Sequence, residues 1–222
     1  YRVGVLDADI YGPSIPTMLG LDGRPDSPDG KSIVPMRAHG VETMSIGFLV
    51  EQDTPMIWRG PMATSALTQL LNDTRWGGTD GEGLDVLVVD LPPGTGDVQL
   101  TLSQKYRLTG AILVSTPQDI ALLDARKALD MFEKTRVPVL GIIENMSSYI
   151  CPNCGHEAHV FGHGGARAEA ERLGVPFLGE IPLDIAIRLA GDAGTPVAAE
   201  AGGREAAAFT EIARRLIGGG IV

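Results

Sequence analysis

Leu84-Asp85-Val86-Leu87-Val88-Val89-Asp90-Leu91-Pro92-Pro93-Gly94-Thr95-Gly96-Asp97, residues 84–97, carries the clearest evidence of fold class. Leu84–Val89 is apolar apart from Asp85, the composition of a strand buried on both faces of a parallel sheet. The run closes on Asp90 and passes into a stiff Pro/Gly loop. A carboxylate at the end of a buried strand is costly unless a metal or a hydrogen-bond donor satisfies it.

Similar apolar runs recur on either side. Tyr1–Leu6 reads as a strand that leads into Asp7-Ala8-Asp9, and Ala111–Val114, Val137–Ile143 and Phe177–Ile181 read as three more. Helical periodicity covers about Ala63–Asp73, Val98–Tyr106, Ala121–Thr135, Ala166–Leu173 and Arg204–Ile217. The alternation predicts an α/β protein with a doubly wound, mostly parallel sheet, read as one domain over residues 1–222. Residues 21–57 break the alternation. Ser32–Met36 and Val41–Ile46, joined by Ala38-His39-Gly40, predict a small β-hairpin insertion at about 30–47. Asp9, Asp90 and Asn145 all follow strand C-termini, the edge where open α/β sheets bind ligands.

Composition narrows the partners. The chain has 222 residues, 44% of them hydrophobic and 5% aromatic, with net charge −10. An acidic surface repels phosphate backbones and anionic lipid, which argues against nucleic acid and membrane as partners. No basic run is longer than Arg214-Arg215, and no apolar run approaches the roughly 20 residues that span a bilayer. A cytoplasmic location is expected. The two cysteines, three positions apart, point to a metal or redox site rather than a disulfide framework.

Three segments carry chemistry. Asp7 and Asp9, spaced i, i+2 at a strand end before Gly12-Pro13, can hold a hydrated Mg²⁺ and orient an attacking water; the alternative is an Asp-rich turn. Asp90 with Gly94 has the Walker B arrangement of nucleotide hydrolases, in which Asp holds Mg²⁺ through water and the glycine senses the γ-phosphate; the alternative is a strand-capping Asp. Cys151-Pro152-Asn153-Cys154-Gly155 can aim two thiolates at one soft metal centre. His156, His159 or His163 would complete an intrachain zinc site, a second copy of the loop would complete a four-thiolate [4Fe–4S] site, and the pair alone would be a redox dithiol. Spacing alone favours zinc. Asn145 can match an adenine edge or simply begin a loop, and Pro182 and Asp184 either wall a base or start a helix.

Taken together with Trp58-Arg59-Gly60-Pro61-Met62 and Glu144-Asn145-Met146-Ser147, these segments resemble, in order and spacing, the Mrp family of the MinD/ParA-like P-loop ATPases. The resemblance extends over nearly the whole chain. It implies a homodimeric ATPase that carries a [4Fe–4S] cluster between subunits and delivers it to apo iron–sulfur proteins. It also implies that Cys151 and Cys154 are cluster ligands, Asp9 a switch I residue near Mg²⁺ with Asp7 beside it, Asp90 the Walker B carboxylate, Gly94 the switch II glycine and Asn145 the adenine reader.

The family's Gly-rich Walker A loop is the one missing part, because no G-x-x-x-x-G-K-[ST] pattern occurs in residues 1–222. Gly30-Lys31-Ser32 matches only its end and reads as a hairpin turn. The expectation is a longer natural protein, whose additional strand would lie within the sheet and whose absence would expose two strand edges. Competing readings are a positioning or partition ATPase, which needs a basic face, and a non-enzymatic metal-binding scaffold with an inert nucleotide site.

Overall fold

The computed structural model describes residues 1–49, 60–78, 83–200 and 202–220. Trp58 and Arg59 therefore lie outside the described residues. Contacts gather the chain into two compact units, one of Tyr1–Thr101 with Ala190–Pro196, the other of Leu102–Leu189 with the segment from Val197.

The first unit is built on a four-stranded sheet. Its strands are β1 (Val3–Asp7), β2 (Met36–Ala38), β3 (Val41–Ser45) and β4 (Val86–Asp90), in the order β2-β3-β1-β4. β1 runs parallel to both β3 and β4, and only β2 is antiparallel. The expected hairpin is present, but its first strand begins at Met36 rather than Ser32. Its second strand is an interior member of the main sheet. The reason is burial: Thr43, Met44 and Ser45 are fully enclosed, so β3 cannot stand apart as an excursion. Helices α1 (Ile15–Met18) and α2 (Gly60–Asp73) follow β1 and β3, and α3 (Asp97–Lys105) follows β4. Leu6, Met44, Ile46 and Leu70 are among the unit's fully buried side chains. Burying each such side chain contributes about 1.5–3 kcal/mol.

The second unit holds a parallel three-stranded sheet, β5 (Ala111–Ser115), β6 (Val139–Asn145) and β9 (Phe177–Ile181), in the order β5-β6-β9. A two-stranded ribbon, β7 (Tyr149–Ile150) and β8 (Glu157–Ala158), projects from the segment after β6. Helix α4 (Asp119–Lys134) buries Leu122, Ala125, Leu129 and Phe132, the i, i+3, i+7, i+10 stripe of an amphipathic helix. Helices α5 (Gly165–Leu173), α6 (Ile185–Asp192) and α7 (Arg204–Gly218) complete the order. Ile143, Leu178 and Ile212 form a buried cluster that seats α7 on the sheet. Buried Glu169 of α5 pairs with Arg126 of α4 and with Arg172 one turn on, fastening the two helices.

β4 and β5 each end a sheet, and both leave apolar side chains in solvent: Val88 on β4, Ile112 and Val114 on β5. No described helix is long and apolar enough to cross a membrane.

Candidate functional site

The β1–β4 register sets Asp7 directly beside Asp90, and the Ala8 N–H donates to the Asp90 carbonyl at 2.8 Å. Asp7 is wholly buried and its carboxylate works inside the protein. Oδ1 accepts from the Asp9 N–H at 3.2 Å, while Oδ2 accepts from the Ile15 N–H at 3.2 Å and the Ser45 hydroxyl at 2.9 Å. One side chain thus closes the loop from Ala8 to Ser14 at both ends and ties it to β3. Burial pushes the Asp7 carboxyl up, against the opposing pull of those three donors.

Asp9, at the start of that loop, is half-buried, and its Oδ1 accepts from the Tyr11 N–H at 3.0 Å. Asp90 reaches solvent at its strand end, yet the surrounding protein raises its carboxyl through desolvation, and the charges of Asp7 and Asp9 raise it further. Asp7 spends both oxygens on internal donors, so Asp9 and Asp90 are the carboxylates of this strand edge left to face a ligand. Gly94 lies exposed in the following loop at φ +90°, a conformation that favours glycine, with open space where a side chain would be. The buried Gln99 amide of α3 donates to the carbonyls of Pro92 (2.6 Å) and Gly94 (3.1 Å), bracing the Pro/Gly loop.

In the second unit, Asn145 ends β6 opposite Ile181 of β9. Its Oδ1 accepts from the Met146 N–H at 3.0 Å, and Met146 itself holds φ +55°. Pro182, directly after β9, is half-buried. Asp184 accepts from the Ala186 N–H at 2.7 Å and so caps α6, with Arg204 at 3.9 Å from its other oxygen. This strip and the stem of the projecting ribbon are stitched together. The Ser147 N–H donates to the Ile181 carbonyl at 3.1 Å, and the Leu183 N–H to the Ser148 carbonyl at 2.8 Å.

The far end of the ribbon segment is held by Glu144. This carboxylate is wholly buried, and it accepts from the Gly164 N–H at 3.2 Å and the Ala166 N–H at 2.8 Å, amides at the opening of α5. Glu144 therefore pins the exit of residues 146–163 to the strand that supplies their entrance.

Cys151 and Cys154 occupy the turn at the ribbon's tip. The Cys151 N–H donates to the His156 carbonyl and the Gly155 N–H to the Cys151 carbonyl, both at 2.9 Å. Backbone N–H groups of Asn153 and Cys154 also point at the Cys151 sulfur, and with the Cys154 thiol they hold the Cys151 thiol below its ordinary value. Cys154 is exposed and Cys151 half-buried. Among the described residues no three His, Cys, Asp or Glu side chains converge as a metal site. Two of the nearby His rings, His159 and His163, pack together with centroids 4.3 Å apart and planes tilted by 39°, and His159 Nδ1 faces the Ser147 carbonyl at 3.4 Å.

The structure thus brings Asp7, Asp9, Asp90 and Gly94 to one strand edge of the first unit. Asn145, Cys151, Cys154, Pro182 and Asp184 belong to the second. Ser45, Gln99 and Glu144 shape these loops without having been singled out from sequence. Glu144 had a signal, as the one carboxylate inside an otherwise apolar strand; Ser45 and Gln99 had none.

A family model described as "ParA: NUBPL iron-transfer P-loop NTPase" matches residues 1–217. An iron-sulfur cluster carrier protein of Haemophilus influenzae is 56% identical over 217 residues, covering 97% of this chain and 57% of that protein. The mouse iron-sulfur cluster transfer protein NUBPL is 49% identical over 216 residues, covering 97% of this chain and 66% of its own length. The chain thus spans a little over half of the length of the bacterial relative. Among solved structures, an Archaeoglobus fulgidus nucleotide-binding protein in complex with ADP matches with TM-score 0.73 and 38% identity, over 87% of this chain and 74% of that one. The septum site-determining protein MinD of Pyrococcus horikoshii matches with TM-score 0.66 at 20% identity, over 100% and 86%, a likeness of fold. By sequence and by fold, the chain belongs to the NUBPL iron-transfer P-loop NTPases of the ParA family.

Proposed function

We propose that this chain carries a [4Fe–4S] cluster, bound by Cys151 and Cys154 from each of two copies, and hands it to apo iron–sulfur proteins. The observation that carries the reading is the exposed Cys151–Cys154 turn, for which no third ligand converges among the described residues. Two thiolates do not close a site, and a two-fold axis that pairs the turns supplies the four that a [4Fe–4S] cluster takes. The cluster here is cargo.

In the intact protein the same reading includes ATP hydrolysis. Asp9 and Asp90 would hold a hydrated Mg²⁺ at the strand edge and orient the attacking water, with Asp7 bracing their loop. Gly94 would follow the γ-phosphate, Asn145 would meet the adenine edge, and Pro182 and Asp184 would flank the base. Bound ATP supplies the phosphoryl group that passes to water. Nucleotide state then acts on cargo by shifting the loops of the dimer, a population shift rather than covalent chemistry on the protein.

The deciding experiment is anaerobic reconstitution of the intact protein with iron and sulfide, beside a Cys151→Ala/Cys154→Ala double variant. About four irons and four sulfides per dimer, lost in the variant, are expected. A monomer that holds zinc and no sulfide would overturn the proposal.

A further inference from the structure

The two thiolates of the proposed carrier site are held unequally, and this inequality has a chemical consequence. Cys151 is the more firmly fixed. Its N–H and carbonyl are both hydrogen-bonded within the tip, so moving it requires the β7–β8 ribbon to open. Cys154 is the more exposed of the two and is followed by Gly155 at φ +71°, with no atom within 4 Å of where a side chain would stand. The exposure of Cys154 leaves the outer sulfur open to an incoming recipient thiol.

We infer that Cys151 is the anchoring ligand of the cargo cluster and Cys154 the ligand that leaves first during delivery. This rests on the carrier reading and adds an order of events to it. In each exchange the Cys154 sulfur–iron bond breaks and a cysteine sulfur of the recipient bonds to the same iron. The recipient thiol's proton passes to the departing Cys154 sulfur, and no electrons change hands. Cys151 holds the cluster until the recipient has gained its first bond, which keeps iron and sulfide from being lost to solvent.

The test compares Cys151→Ala with Cys154→Ala, each made separately in the intact protein. After anaerobic reconstitution, iron and acid-labile sulfide per dimer are measured, then transfer to an apo four-cysteine ferredoxin and loss to a ferrous chelator. Circular dichroism checks that both fold as the parent does. Cys154→Ala should load a cluster and release it at least about tenfold faster than the parent, since even losing an outer-shell partner costs a metal site about 10–100-fold in affinity. Cys151→Ala should retain iron and sulfide only at background. Equal behaviour of the two variants, including failure of both to load, overturns the order, as does a Cys151→Ala protein that retains more cluster than Cys154→Ala. If the parent itself loads no cluster, it is the carrier reading that fails.

Discussion

Replacing Glu144 with Gln isolates the contribution of a buried carboxylate that closes the cysteine-bearing segment. The parent side chain accepts two backbone N–H groups, from Gly164 at 3.2 Å and Ala166 at 2.8 Å, at the first turn of α5. Gln keeps one acceptor oxygen and turns an NH₂ group toward the other amide, so one charge-assisted bond is lost and a donor faces a donor. Hydrogen bonds to charged groups contribute about 1.5–3 kcal/mol, and loss of a negative charge at a helix N-terminus removes up to about 1 kcal/mol more. A destabilisation of about 3 kcal/mol follows, or roughly 6–12 °C in Tm for a chain of this size. Thermal and urea unfolding measure it, with Glu180→Gln as control. Glu180 pairs with Arg167 in a half-exposed bridge, and such a pair contributes about 0–1 kcal/mol. A Glu144→Gln shift no larger than the control's would refute the reasoning and leave the segment's exit held by something other than this carboxylate.

Other outcomes follow from the same contacts. Arg126 and then Arg172 hold the Glu169 carboxyl down at about 2, against 4.5 for a free one. Because the folded value is the lower, the stabilisation is complete above about pH 4.5 and fades as pH falls toward 2; Glu169→Gln should flatten that acid limb and cost about 1–2 kcal/mol at pH 7, allowing for solvent screening of the half-exposed guanidiniums. Asp90 has the opposite sign: its folded carboxyl is raised, so its ionised form destabilises the fold at neutral pH. Asp90→Asn should therefore unfold at a higher temperature than the parent at pH 7 while nucleotide hydrolysis by the intact protein falls to background. Gly194→Ala should cost roughly 2–4 kcal/mol in urea unfolding, since φ is +70° there and a Cβ would stand 2.4 Å from the Gly20 Cα.

Sequence reading is strongest where a buried strand forces an unbroken apolar run. Phe177–Ile181 matches its expected limits, and the strands ending at Asp90 and Asn145 are displaced only toward their C-termini, where the polar end residue still pairs. It fails where elements are too short to show a period. α1 has four residues, β7 and β8 two each, and α6 only eight, too few turns to establish a period. The hairpin is displaced because Ser32–Val34 has strand-like composition, whereas the pairing that forms sets Met36–Ala38 against Val41–Thr43 of β3. Among site residues, Asp9, Asp90 and the cysteine pair stand out as candidates from residue type and spacing, although spacing alone favours zinc for the cysteines. The bracing roles of Ser45 and Gln99 cannot. Ser45 meets Asp7 across 38 positions and Gln99 meets its carbonyls across a loop, and neither contact leaves a periodic trace.

The stem of the projecting ribbon has an evolutionary reading. Its two ends meet at Ser147, whose N–H donates to Ile181 and whose carbonyl faces the His159 ring, while Glu144 secures the exit beyond. Everything between Tyr149 and Ala158 is therefore a cassette on a fixed socket. Insertions, deletions or a change of ligand type in the tip can be tried by evolution without disturbing the sheet. A scaffold of this kind can acquire, exchange or lose the chemistry of its tip through that short segment alone.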